Sequence, residues 1–151
     1  MSRNTAAAIL YVEDDPDDRL LAEMAHRDSG VVNPLLIVAD GDEALEYLRR
    51  VGRHADRGGT AQPGIILLDL NMPGTDGRET LAIVKADPAL RRIPVVILTT
   101  SSAVRDIATS YEHGANSYIV KPTAFASLVR LFERLCDHWF EIGSLAAEDG
   151  Q

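Results

Sequence analysis

The chain has one cysteine and two lysines among its 151 residues, and it has no long apolar run. Each shortage narrows the reading. A single cysteine, Cys136, rules out an internal disulfide and fits a reducing compartment. The apolar stretches span a handful of residues each, far short of the roughly 20 that cross a bilayer. Basic charge is also scarce. The net charge of −8 argues against a nucleic-acid footprint, which needs a basic patch facing phosphates. The four histidines, His26, His54, His113 and His138, show no ligand spacing with the cysteine or with each other. The amino terminus has a short apolar run followed almost at once by five carboxylates, where a signal peptide would place small residues for cleavage. A cytoplasmic protein is expected, with no membrane segment and no nucleic-acid partner.

What is present is alternation. Apolar runs at Ile9–Val12, Leu35–Ala39, Ile65–Leu70, Val95–Leu98 and Tyr118–Val120 are separated by amphipathic stretches near 17–29, 41–51, 77–87, 103–114 and 123–142. Strand and helix alternate five times, which predicts an α/β domain with a parallel sheet covered on both faces. Local signals mark the boundaries. Asp15 is placed to cap the first helix, with Pro16 at its first position and Asp17 and Asp18 at its positive end. Asp40 and Glu43 have capping-box spacing. Asp87-Pro88 ends the third helix and Gly114 is placed to end the fourth. Only 51–64 reads as a long irregular loop, and it is expected to be mobile.

In an open α/β sheet, ligands bind beyond the carboxyl ends of the strands. There the first strand delivers Glu13 and Asp14, the third Asp69, the fourth Thr99 and the fifth Lys121. Capping accounts for Asp15, Asp17 and Asp18, but not for Glu13 and Asp14. Clustered carboxylates raise one another's pKa unless a cation intervenes. A hard divalent ion with oxygen ligands answers that, and Mg²⁺ is the expected one.

The ordered set "VEDD", "LLDLNMPGTDG", "ILTT" and "YIVKP" resembles the receiver domains of two-component response regulators. The resemblance implies a flavodoxin-like receiver fold, a five-stranded parallel sheet of order 2-1-3-4-5 with helices on both faces. It implies Asp69 as phosphoacceptor and Glu13, Asp14, Asp69 and the backbone carbonyl of Asn71 as the Mg²⁺ site. Thr99 and Tyr118 become a switch pair, Lys121 binds the phosphoryl oxygens, and Lys121-Pro122 is cis. The donor would be a phosphohistidine on a partner histidine kinase. Many family members have Asp where this chain has Glu13, so that residue reaches the metal either directly or through water. A lysine at 121, in a chain with thirteen arginines, suits a compact charge on a phosphoryl oxygen. The finer likeness is to single-domain regulators of phytochrome-type kinases, through the 52–64 loop, "RRIPVVILTTS", "ANSYIVKP" and the His138-Trp139-Phe140 tail.

Two other classes use related parts. A Mg²⁺-dependent phosphatase of haloacid-dehalogenase type forms an aspartyl phosphate, but carries a second Asp two positions on, where this chain has Asn71. A degenerate receiver serving only as a scaffold would not need the acidic pair, Asp69, Thr99 and Lys121. The expected protein is therefore a stand-alone phosphoacceptor rather than an enzyme. Its receiver spans 8–142, between a disordered tail at 1–7 and a tail at 143–151. The last helix, if it runs 123–142, is about 30 Å long, against ~17 Å for a five-residue strand. Its apolar stripe, with Phe132, Trp139, Phe140 and Ile142, would outrun the sheet and carry a homodimer interface.

Overall fold

The computed structural model describes residues 7–57, 60–69, 77–99, 117–120 and 124–137. Five strands, β1 (Ile9–Val12), β2 (Leu35–Val38), β3 (Ile65–Asp69), β4 (Val95–Thr99) and β5 (Ser117–Val120), form one sheet. Every pairing is parallel and the order is β2-β1-β3-β4-β5. Parallel neighbours need a crossover, and helices α1 (Pro16–Ser29), α2 (Gly41–Arg49) and α3 (Gly77–Ala86) supply three of them. Helix α4 (Phe125–Leu135) follows β5.

Side chains alternate across a strand, which splits the core in two. Leu10, Val12, Ile66, Leu68 and Ile97 pack with Ala44 and Leu48 of α2 and Leu81 and Val84 of α3. On the other face Ile9, Tyr11, Ile65, Leu67, Val96 and Leu98 meet Ala22 and Ala25 of α1 and Leu128, Leu131, Phe132 and Leu135 of α4. The strands read as continuous apolar runs because both faces are covered. Phe132, counted above with the interface, is fully buried and stands edge-on to His26 at 5.5 Å between ring centroids. It is core, not surface: truncation there removes packing worth about 3–5 kcal/mol.

The helix starts follow their caps. The Asp15 carboxylate accepts from the amides of Asp17 and Asp18 at 2.8 and 3.3 Å. Asp40 accepts from the Glu43 amide at 2.8 Å, and Glu43 returns the bond one residue further back, to the Ala39 amide at 2.9 Å. α3 stops at Ala86, ahead of Asp87-Pro88. Lys85, near its end, donates to the carbonyls of Arg91 and Ile93 at 3.1 and 2.9 Å. One of the two lysines thus has a structural task.

The segment after α2 departs from expectation. Within the stretch expected to be an irregular loop, Gly52–Arg57 forms a 3-10 turn fastened onto α2. Arg53 donates to Glu46 at 2.9 Å, His54 Nε2 stands 2.9 Å from Glu43 Oε2, and Arg57 lies 3.6 Å over the Tyr47 ring. Gln62 adds a bond of 2.6 Å to the Leu48 carbonyl. Contacts between a loop and a helix face leave no periodicity to read.

At the amino ends of the strands, Asn33 is buried. Its amide donates to the Ala7 carbonyl at 2.9 Å, its Oδ1 accepts from Cys136 Sγ at 3.5 Å, and its carbonyl meets His26 Nε2 at 2.7 Å. Among the described residues, no helix is long and apolar enough to cross a membrane. The expected helix near 103–114 with Gly114, the Lys121-Pro122 peptide, and residues Asn71, Lys121, Trp139, Phe140 and Ile142 lie outside the described residues.

Candidate functional site at the carboxyl edge of the sheet

Register decides what meets at this edge. Val12 pairs with Leu68 and Asp69 with Leu98, so Glu13, one step beyond Val12, comes level with Asp69. Thr99 pairs with Val120, the residue before Lys121. The strand ends named from the sequence therefore lie side by side, β1 and β3 in the middle and β4 and β5 on one flank. For Thr99 and Tyr118 the description covers the backbone in the strand.

Two of the acids are buried. Glu13 is 1% exposed and Asp69 3%, burial that ionised carboxylates accept only with partners. Glu13 has them: Oε1 accepts from the Tyr11 hydroxyl and Oε2 from the Asp15 amide, both at 3.1 Å. Tyr11 went unnoticed in the sequence; its signal was its place two residues before Glu13, on the same face of the strand. The Asp14 carboxyl is pushed above the ordinary aspartate range, first by desolvation and also by the neighbouring Glu13 and Asp15 charges.

The donor types suit a hard cation: these are carboxylate oxygens, and positive charge nearby would offset the desolvation and the acidic neighbours that raise Asp14. Among the described residues, no group of three or more His, Cys, Asp or Glu side chains is gathered closely enough to hold an ion. Glu13 and Asp14 follow the end of β1 and interact through their side chains; the backbone carbonyl expected from Asn71 lies outside the described residues.

Comparison with known proteins bears on the family and the fold. The family model "Response regulator receiver domain" matches residues 9–133. The response regulator Rcp1 of Synechocystis sp. is 38% identical over 144 residues, covering 95% of this chain and 96% of that one. Its Mn²⁺-bound crystal structure superimposes with a TM-score of 0.76 over 89% of this chain and 95% of that chain, at 38% identity. The phosphorylated cyanobacterial phytochrome response regulator RcpA gives 0.78 at 41% identity, over 89% and 94% of the two chains. The bacteriophytochrome response regulator RtBRR gives 0.73 at 42% identity, over 86% and 78%.

Proposed function

The chain belongs to the response regulator receiver domain family, a family of phosphorelay signalling proteins, and from that premise we propose that Asp69 is its phosphoacceptor. The observation that carries the proposal is the position of Asp69: a buried carboxylate on the last residue of β3, level with Glu13 one step beyond the end of β1. An Asp69 oxygen attacks phosphorus, the bond from phosphorus to the donor histidine nitrogen breaks, and that electron pair stays on the imidazole. The barrier is mostly electrostatic, so positioning and charge neutralisation do the catalysis.

Mg²⁺ is the proposed cation, held by Asp14, Asp69, the Asn71 carbonyl and Glu13; when bound it neutralises the carboxylates and the phosphoryl oxygens. The hard-oxygen donors support this, as does the Mn²⁺-bound form of the relative Rcp1. Lys121 offsets a further phosphoryl oxygen, and Thr99 with Tyr118 forms the switch that reports the new charge. Receivers matched to phytochromes by name support a histidine kinase of bacteriophytochrome type as the donor. The same reading makes 8–142 a cytoplasmic receiver that works as a homodimer.

Acetyl phosphate with Mg²⁺ is the direct test. Wild type should take up one phosphoryl group, mapped to Asp69 by mass spectrometry, and Asp69→Asn should take up none. Full labelling of Asp69→Asn, with phosphate on Asp15, would overturn the assignment. A panel of histidine kinases from the host then identifies the donor.

A further inference from the structure

Glu13 has one methylene more than the aspartate many receivers carry at that position, and a longer side chain on a fixed strand end has more ways to miss. Two donors among the described residues hold it, one at each oxygen. The Tyr11 hydroxyl lies 3.1 Å from Oε1 and the Asp15 amide 3.1 Å from Oε2. Tyr11 is 2% exposed and seated among Ile9, Leu67, Leu98 and Phe132 in the core on the α1 and α4 side. Its ring cannot wander, so its hydroxyl is a fixed donor. Asp15 is equally fixed, since its own carboxylate caps α1. With both oxygens pinned, the plane of the Glu13 carboxylate is set before any ligand arrives.

We propose that Tyr11 is a positioning residue for the divalent-cation site, its hydroxyl holding the Glu13 carboxylate in the orientation that a cation, or a water on it, requires. The proposal rests on the receiver reading of this edge. Pre-orientation of this kind matters because partners behind metal ligands typically tune affinity by about 10- to 100-fold. A phenol serves well here: as a neutral donor it steadies the carboxylate without cancelling the charge that attracts the cation. The pairing also requires a glutamate. A side chain one methylene shorter, anchored at the same backbone position, falls short of a hydroxyl already at 3.1 Å.

Tyr11→Phe removes one oxygen and keeps the packed ring. Calorimetric titration of the unphosphorylated full chain with Mg²⁺ should show about tenfold weaker binding in Tyr11→Phe than in wild type. In a Glu13→Asp background the same replacement should change the Mg²⁺ Kd by less than about twofold, since the shorter carboxylate is out of reach of the Tyr11 hydroxyl. A role in packing alone would instead lower Tm alike in both backgrounds and leave Mg²⁺ affinity alone. Equal Mg²⁺ Kd for wild type and Tyr11→Phe, or the same loss in both backgrounds, overturns the proposal. A wild type that binds no Mg²⁺ overturns it together with the cation site. A wild type that binds Mg²⁺ but is never phosphorylated on Asp69 sinks the phosphoacceptor reading and leaves Tyr11 to be judged on the titration.

Discussion

His54 Nε2 lies 2.9 Å from Glu43 Oε2 across eleven residues of sequence, and the contact joins the cap of α2 to the turn that follows the helix. Burial alone would raise the Glu43 carboxyl. The Ala39 amide, the His54 bond and the Arg53 charge together outweigh it and hold the group below the ordinary glutamate value. A carboxyl depressed in the folded state adds stability above its unfolded pKa and loses it as pH falls through the folded value. Thermal melts should therefore show a loss beginning below about pH 4.5, and Glu43→Gln should flatten that part of the profile. An unchanged acid limb in Glu43→Gln would remove the contact from the stability account.

Gly52→Ala should destabilise the fold. Gly52 sits at φ +57, and an added Cβ would come 2.7 Å from Glu46 Oε1. The Glu46 side chain can swing aside, but only by releasing Arg53. Left-handed backbone for a side-chain-bearing residue costs about 1–2 kcal/mol, equivalent to a fall in Tm of about 2–8 °C. A variant melting with wild type would show the turn to be softer than drawn.

Asp14→Asn should have opposite effects with and without metal. Asp14 is raised by desolvation and then by its acidic neighbours, so in the chelated protein its ionised form opposes folding as pH rises past the unfolded value. Without Mg²⁺ the variant should melt at or above wild type. With millimolar Mg²⁺, wild type should gain stability by mass action and Asp14→Asn should not. Identical wild-type curves in chelator and Mg²⁺ would count against a cation at this edge.

If the proposed dimer forms, wild type should run as a dimer in light scattering and Trp139→Ala with Phe140→Ala should leave a monomer. The proposal excludes Phe132, whose side chain is spent on the sheet. A wild type that stays monomeric at high micromolar concentration, with and without beryllofluoride, would end the dimer reading.

Much of this was legible in the chain. Ile65–Leu68 and Val95–Leu98 announced buried strands because parallel sheets need apolar residues on both faces. Asp15-Pro16 and Asp40 with Glu43 announced helix starts because caps are local chemistry. The acids at the carboxyl edge were legible because strand ends can be counted. Three things were not. The 3-10 turn over α2 depends on Arg53, His54 and Arg57 finding Glu46, Glu43 and Tyr47 in space, although the one-turn spacing of Glu43, Glu46 and Tyr47 on α2 was a signal in retrospect. Phe132 lay on a stripe that served both core and surface, and only packing divides such a stripe. Tyr11 looked like one more apolar strand residue until its hydroxyl had a partner.

The turn over α2 has a consequence for the field around the molecule. Arg53 lies against both Glu46 and Glu43, and Arg49 stands 3.8 Å from Asp87. Those charges are partly compensated at short range, so they contribute less at a distance. The net −8 is then weighted toward other places, and residues 13–18 set five carboxylates in six positions at the carboxyl edge. Potential concentrated over one rim of a low-dielectric body draws cations in from solution faster than a uniform surface does. Quieting α2 therefore sharpens the attraction at the acids, and adding salt should blunt it within a Debye length of about 10 Å at 0.1 M.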